Sequence, residues 1–260
     1  SGEYIAVLDA DDVMHAERLA RQAAFLDAHP DVGAVGSALG ILGRPDEVWR
    51  WEPDDAGARG KLLFQGPVSY GAMMVRRGIL DRHGLRCDED WRSPGMDYLF
   101  VAKLAPDARY ANLPQALTFY RVGENNMRHG RDQAADRAAL MRELLRRFGI
   151  EASDEEVDAH VMLFGMQRRP CDAPMARALR RWVDRLIAEN RALGHFPQEV
   201  FEAEVRRRWQ ARFHAFADHS LAAALAYARC GGPVSSGRAR YALAAAWRRV
   251  RGERSSARHP

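Results

Sequence analysis

The hydrophobic and polar pattern of the chain changes near residue 130. Before that point, short apolar runs alternate with segments of helical period, separated by Gly and Pro. This is the pattern of an α/β sheet flanked by helices. Residues 4–8 (YIAVL) predict a strand. Residues 16–28 predict a helix with Leu19, Ala23 and Leu26 on one face, closed at His29-Pro30-Asp31. Residues 32–37 (VGAVGS) predict a second strand of small residues, 48–51 a third and 70–75 (YGAMMV) a fourth. A short helix is predicted over 97–104, entered through Ser93-Pro94-Gly95, and a last strand over 117–122 (LTFYRV).

Beyond residue 130 the period is helical throughout. Ala134, Ala138, Met141, Leu145 and Phe148 form one stripe, ended by Gly149. Ser153-Asp154-Glu155-Glu156 has the spacing of a capping box opening the next helix. Leu179, Trp182, Leu186, Asn190 and Leu193 make a further stripe, followed by Phe201, Val205, Trp209 and Phe213. A final helix carries Tyr241, Ala244 and Trp247. The aromatic positions of these stripes are read as packing residues on buried faces. The organisation expected is an α/β part over 1–130, a helical extension over 131–250 and a disordered tail over 251–260.

Composition narrows the classes. With 260 residues and 47% hydrophobic content the chain can build a substantial core, as one large domain or two smaller ones. No apolar run approaches the roughly 18 residues of a membrane span, and the opening residues read as a strand, not a signal peptide. Cys87, Cys171 and Cys230 match neither a disulfide framework nor a zinc spacing, which suits a reducing compartment. The net charge is +4, and Lys61 and Lys103 are the sole lysines among 39 basic residues. No helix-turn-helix, RNA-binding or zinc-finger pattern accompanies the charge, so nucleic acid is not an expected partner. A basic surface resting on anionic lipid or acidic glycan remains open. The expected location is cytoplasmic, with peripheral association at the inner face of the membrane allowed.

The chemistry suggested by the sequence begins at its first residues, SGEYIAVLDADDVMH. Asp9, Asp11 and Asp12 follow the first strand at once, and ligands of parallel α/β sheets bind beyond the carboxyl ends of strands. Asp-x-Asp there presents hard oxygen ligands of the kind that suit Mg²⁺ or Mn²⁺. Part of the charge has a plainer reading, in which Asp12 caps the helix starting near His15. That leaves Asp9 and Asp11 without a role.

These residues also carry a resemblance. GEYIAVLDADDVMHAERLARQAAFLDAHPDVGAVGS resembles the middle of a family 2 glycosyltransferase of the GT-A fold, in which an Asp-x-Asp binds metal and nucleotide-sugar diphosphate. YGAMMVRRGILDRHG is similar to that family's acceptor-side strand and following helix. DEDWRSPGMDYLFVAKL resembles the segment with its catalytic base, and LPQALTFYRV the closing strand. The fold implied is a partial GT-A (nucleotide-diphospho-sugar transferase) sheet with helices, followed by an all-helical C-terminal region. The activity implied is metal-dependent, inverting transfer of a sugar from a nucleotide-diphosphate donor to a glycan, lipid-linked glycan or protein acceptor. By the same resemblance Asp9 meets the nucleotide and the metal, Asp11 ligates the metal (Mg²⁺ or Mn²⁺), and Asp97 is the general base. Arg121, Arg128 and His129 are the candidates to serve the diphosphate, with a solvated Arg-rich loop as the plain alternative. A helix-terminal acid favoured by the macrodipole is the plain alternative for Asp97.

Two departures stand out. Met96 precedes Asp97 where relatives commonly carry Glu, and Gly123 stands near the place of a His. Trp49, Trp51 and Trp91 fall on the side expected to meet the acceptor, as stacking faces or as core. The family's opening elements for the nucleotide base are not in the sequence, so the chain reads as an N-terminally truncated fragment whose first strand has an open sheet edge. The remaining alternatives are an inactive remnant or helical interaction module, and a nucleotidyltransferase using the same acidic strand end.

Overall fold

A computed structural model of the protein describes residues 2–87, 91, 94–123 and 131–251. The chain divides into two compact units, Ser1–Asp136 and Arg137–Pro260.

The first unit is built on a six-stranded sheet. Its centre is β3 (Val32–Ile41), ten consecutive buried residues. Small side chains are required there: a Cβ on Gly33 would stand 2.5 Å from the Ile79 side chain and 2.6 Å from that of Ala108. Parallel to β3 runs β6 (Arg109–Tyr120). On the other flank β5 (Met74–Arg76) pairs antiparallel with β3, and β1 (Tyr4–Ala6) pairs antiparallel with β5. The short β2 (Val13–Met14) closes the far side against β6, and β4 (Arg44–Trp49) folds back on β3 through Gly43, whose φ of 79° favours glycine. The order is β1-β5-β3-β6-β2 with β4 beside β3. Helices α1 (Arg18–Ala28), α2 (Asp55–Gly60), α3 (Arg77–His83) and α4 (Met96–Lys103) connect these strands.

An α/β sheet with helices is therefore present, but its strand directions correct the parallel reading. Only β3 and β6 run parallel among the described pairs. The first strand lies at the sheet edge with half-buried or exposed residues, as the open-edge expectation held. Two boundaries also move. Residues 70–72 form a 3₁₀ turn, and the strand is confined to 74–76. The last strand begins at Arg109 instead of 117. Pro114 hides its first half in the sequence, since Pro within a run argues against a central strand. The register explains the exception: Ser37 pairs with Leu113 and Ala38 with Ala116, so Pro114 and Gln115 fall in an irregularity where no ladder hydrogen bond is asked of them.

The second unit is helical. It comprises most of α5 (Gln133–Arg147), then α6 (Asp154–Leu163), α7 (Ala173–Leu193), α8 (Gln198–Gln210), α9 (Phe213–His219), α10 (Leu221–Arg229) and α11 (Ser236–Val250). The predicted capping box at Ser153 and Glu156 is formed in both directions. Trp182, Phe201, Trp209 and Phe213 are buried as read, and the Trp182 indole N–H donates to His160 Nδ1 at 3.2 Å. The last stripe is corrected. On α11 the buried positions are Ala242 and Ala245, while Trp247 is 60% exposed. Alanine-rich helices leave the packing face ambiguous, because the large residue need not be the buried one. Leu193 at the end of α7 is likewise exposed. Residues 252–260 of the expected tail lie outside the described residues.

Candidate functional site

The acidic segment leaves β1 at one edge of the sheet and rejoins it through β2 at the other. It is fastened at both ends. Val7 N–H donates to Met73 O at 2.9 Å, just before β5, and His15 N–H donates to Leu117 O at 2.9 Å in β6. Between these points the backbone turns, with Asp12 N–H donating to Asp9 O at 3.1 Å. Asp12 does not cap α1, whose first flanking residue is Glu17 and which has no side-chain cap. Its carboxylate instead accepts from the Arg121 N–H at 2.9 Å, while Arg121 Nε donates to Asp11 O at 2.9 Å. Arg121, just past the end of β6, thus grips the acidic turn twice.

The 3₁₀ turn at Tyr70–Ala72 forms the floor. A Cβ placed on Gly71 would lie 2.7 Å from Asp9 Oδ2 and 3.7 Å from Asp12 Oδ2. The carboxylates of Asp9 and Asp12 therefore converge over one glycine. The sequence reading paired Asp9 with Asp11; the Asp11 side chain is exposed, and its carbonyl makes the contact to Arg121. Burial raises the pKa of Asp9 first, and the negative charges of Asp12, Asp97 and Asp11 raise it further. Burial also raises Asp12, against the lowering effects of the Arg121 N–H and the charges of Arg121 and Arg18. Four carboxylates thus act on a site with a deficit of positive charge.

Asp97 sits half-buried in the first turn of α4, where an acid suits the helix N-terminus, and lies within electrostatic reach of Asp9. Gly95, with φ of 104°, makes the entry into that helix. Tyr70 belongs to the same neighbourhood and was not singled out by the sequence. Its hydroxyl lies 3.5 Å from Cys87 Sγ, its ring stands edge-on to Phe100, and burial, Cys87, Asp9 and Asp97 all hold its proton on. A Tyr at the head of an apolar run is a weak signal, because strand and 3₁₀ turn look alike there.

Behind the turn lies Arg18, which is fully buried. Its Nη2 donates to Val7 O at 2.7 Å and to Met73 O at 3.3 Å, and its Nε to Gln22 Oε1 at 3.0 Å. Buried Gln22 continues the chain of bonds to Ala72 O at 2.8 Å and Val35 O at 3.2 Å. Desolvation lowers the guanidinium to about 10, with the charge of Asp12 acting in the opposite sense.

No group of three or more His, Cys, Asp or Glu is arranged as a metal cage among the described residues. Two converging carboxylates with excess negative charge still fit Mg²⁺ or Mn²⁺, since Mg²⁺ commonly takes one or two carboxylates plus phosphate oxygens. Of the proposed acceptor aromatics, Trp49 is 41% exposed, donates to Glu47 and leans on Tyr120, while Trp51 and Trp91 are half-buried. Arg128 and His129 lie outside the described residues.

Comparison with known proteins gives a family match over the first third of the chain. Residues 1–84 match the model of glycosyl transferase family 2, the stretch that holds Asp9, Asp11, Asp12, Arg18 and Gly71. An uncharacterized glycosyltransferase of Haemophilus influenzae is 26% identical over 136 residues, covering 48% of this chain and 42% of that protein. The match therefore spans less than half of the relative's length. Among solved structures, S. aureus TarS 1–349 with UDP-GlcNAc aligns at 17% identity and a TM-score of 0.47, over 97% of this chain and 69% of TarS. The UDP complex of the same protein aligns at 18% identity and 0.47, over 82% and 67%. Over residues 1–84 the chain is thus similar to glycosyl transferase family 2.

Proposed function

We propose that this chain is the metal- and acceptor-side part of a glycosyltransferase that moves a sugar from a nucleotide-diphosphate donor to a glycan, lipid-linked glycan or protein acceptor, with inversion. The observation that supports it is the convergence of Asp9 and Asp12 over Gly71, with Asp11 and Asp97 adding charge to the same place. Catalysis would reside in residues 1–130, with 131–250 as a helical extension. When bound, Mg²⁺ or Mn²⁺ would offset the charge that builds on the departing diphosphate.

In this reading Asp9 and Asp11 hold the metal and the nucleotide side, as the family resemblance implies, and the nearness of Asp12 to Asp9 over Gly71 supports including it with them. Asp97 takes the proton of the acceptor hydroxyl as its oxygen bonds to the anomeric carbon. The bond from that carbon to the diphosphate oxygen breaks, its electron pair leaves with the diphosphate, and attack from the opposite face inverts the centre. Arg121, whose backbone and Nε hold the acidic turn, stands at the exposed rim where diphosphate oxygens would come. Tyr70 stays protonated beside Asp9 and Asp97 and offers a donor to the acceptor. A lipid-linked acceptor would set the reaction at the inner face of a membrane.

The test is Mn²⁺-dependent binding and transfer with a panel of nucleotide sugars, measured by calorimetry and product release. Asp9→Asn should weaken Mn²⁺ binding at least about tenfold. Asp97→Asn should leave binding in place and cost about a hundredfold or more in turnover. Unchanged Mn²⁺ binding in Asp9→Asn, or unchanged turnover in Asp97→Asn, would overturn the assignment.

A further inference from the structure

Helix α11 has two unlike faces. On one, Ala242 and Ala245 are buried, Arg238 donates to Pro233 O and Gln210 O, and Arg249 donates to Ala217 O and Asp218 O. That face is anchored within the helical unit. The other carries Arg240, Leu243, Trp247 and Arg251 at spacings of three and four residues, so they form one stripe. Leu243 and Trp247 are each 60% exposed, and the Arg251 guanidinium lies over the Trp247 ring at 5.0 Å.

The surroundings are equally uneven. Of six large apolar side chains exposed among the described residues of the second unit, five lie between Leu221 and Trp247. Residues 220–251 hold six arginines and no Asp or Glu, whereas residues 137–219 hold fifteen arginines against thirteen carboxylates. Exposed apolar residues and unbalanced positive charge therefore coincide in this segment. No helix among the described residues is long and apolar enough to cross a membrane.

We propose that the Arg240-Leu243-Trp247-Arg251 stripe of α11 is a docking surface for a bilayer of anionic phospholipid. A helix with Trp and Leu on its outer face, arginines flanking them and little overall hydrophobicity lies in the plane of the interface. Trp sits at headgroup level, and the long arginine stems keep their charges at the phosphates. The charge favours this occupant over a second copy of the chain. Packing two such stripes against each other would bring arginine against arginine with no carboxylate in the segment to receive it. The proposal stands independently of the sugar-transfer reading.

The experiment is co-sedimentation of the whole chain with vesicles of phosphatidylcholine alone and of phosphatidylcholine with about a third phosphatidylglycerol. Binding is expected to the anionic vesicles, about tenfold or more above the neutral ones, and to fall as salt rises. Leu243→Ser with Trp247→Ser should abolish it with an unchanged melting temperature, because both side chains are exposed. Arg240→Glu should lower it about fivefold or more. Equal binding to both vesicles, none to either, or full retention by the double variant would overturn the proposal. So would sedimentation showing a dimer that the double variant dissolves, which would make the stripe a self-association surface.

Discussion

Gly71→Ala separates the geometry of the acidic turn from its stability. The added methyl would stand 2.7 Å from Asp9 Oδ2, about 0.7 Å inside the ordinary contact distance of 3.4 Å. The Asp9 carboxylate is the free end of an exposed side chain, so it can retreat, and the backbone need not. Gly71 does not occupy the left-handed region, so alanine adopts its conformation without strain. Such a replacement contributes roughly 0.4–1 kcal/mol of stability by restricting the unfolded chain. A metal ligand, by contrast, is held to within about 0.2 Å, and a 0.7 Å retreat exceeds that several times over. Mn²⁺ affinity should therefore fall about tenfold, equivalent to about 1.4 kcal/mol, while the midpoint of unfolding stays level or rises. Free Mn²⁺ read by paramagnetic resonance, beside chemical denaturation of the same samples, resolves the two effects. Gly78→Ala is the control, because nothing lies within 4 Å of its added Cβ, and it should leave Mn²⁺ binding unchanged. Gly71→Ala binding Mn²⁺ as tightly as the parent would refute the placement of Asp9 in the metal site.

The raised pKa of Asp9 fixes the sign of a second outcome. Its contribution to stability is full below the unfolded carboxyl value and is lost as pH rises through the folded one, so the ionised group opposes folding at neutral pH. In chelator, Asp9→Asn should melt above the parent at pH 7 and the difference should close near pH 3.5. Adding Mn²⁺ at about ten times the parent's Kd should stabilise the parent by about 1.4 kcal/mol and Asp9→Asn by about 0.4 kcal/mol or less, and a parent that melts higher than Asp9→Asn in chelator at pH 7 contradicts the charge deficit. Arg18→Met keeps much of the bulk but removes the bonds to Val7, Met73 and Gln22; Met73 O keeps the Val7 N–H, while Val7 O and the Gln22 side chain lose the guanidinium. It should cost about 3 kcal/mol in urea unfolding and also weaken Mn²⁺ binding; a cost under about 1 kcal/mol would show that the guanidinium is not holding the turn.

The sequence made some of this legible and hid other parts for identifiable reasons. The all-buried run at 32–37 and the capping box at Ser153 signal themselves through local chemistry, and both are present. So does the cluster Asp9-Ala10-Asp11-Asp12, because three carboxylates after an apolar run need compensation. What local pattern cannot show is which carboxylates meet. The pairing of Asp9 with Asp12 depends on a turn closed by the Asp12 N–H and on Gly71, some sixty residues away. The first half of β6 stayed hidden because Pro114 speaks against a strand unless its neighbour's register slips at that point. On α11 the period was visible but its phase was not, since alanine fills the buried positions and tryptophan the exposed one.

Arg18 shows why the site itself is harder to read than the fold. At the first turn of a helix between Glu17 and Leu19, an arginine looks like a solvated base. Its full burial follows from what it connects. Just past β1 stands the Val7 carbonyl, and just before β5 the Met73 carbonyl, which also accepts from the Val7 N–H. One planar guanidinium reaches both, and Gln22 one turn later carries the bonding on to Ala72 and Val35. Desolvating that charge is costly, as the fall of its pKa to about 10 records. A pair of apolar side chains would pack the same space at less cost. What they would not do is hold the strand end and the 3₁₀ turn in one fixed relation, and that relation sets Asp9 above Gly71. The buried cation also lies within electrostatic reach of Asp12, so it offsets part of the acidic charge from beneath. In the proposed function, the open side, where Asp9 and Asp11 are exposed, is where the divalent cation would sit.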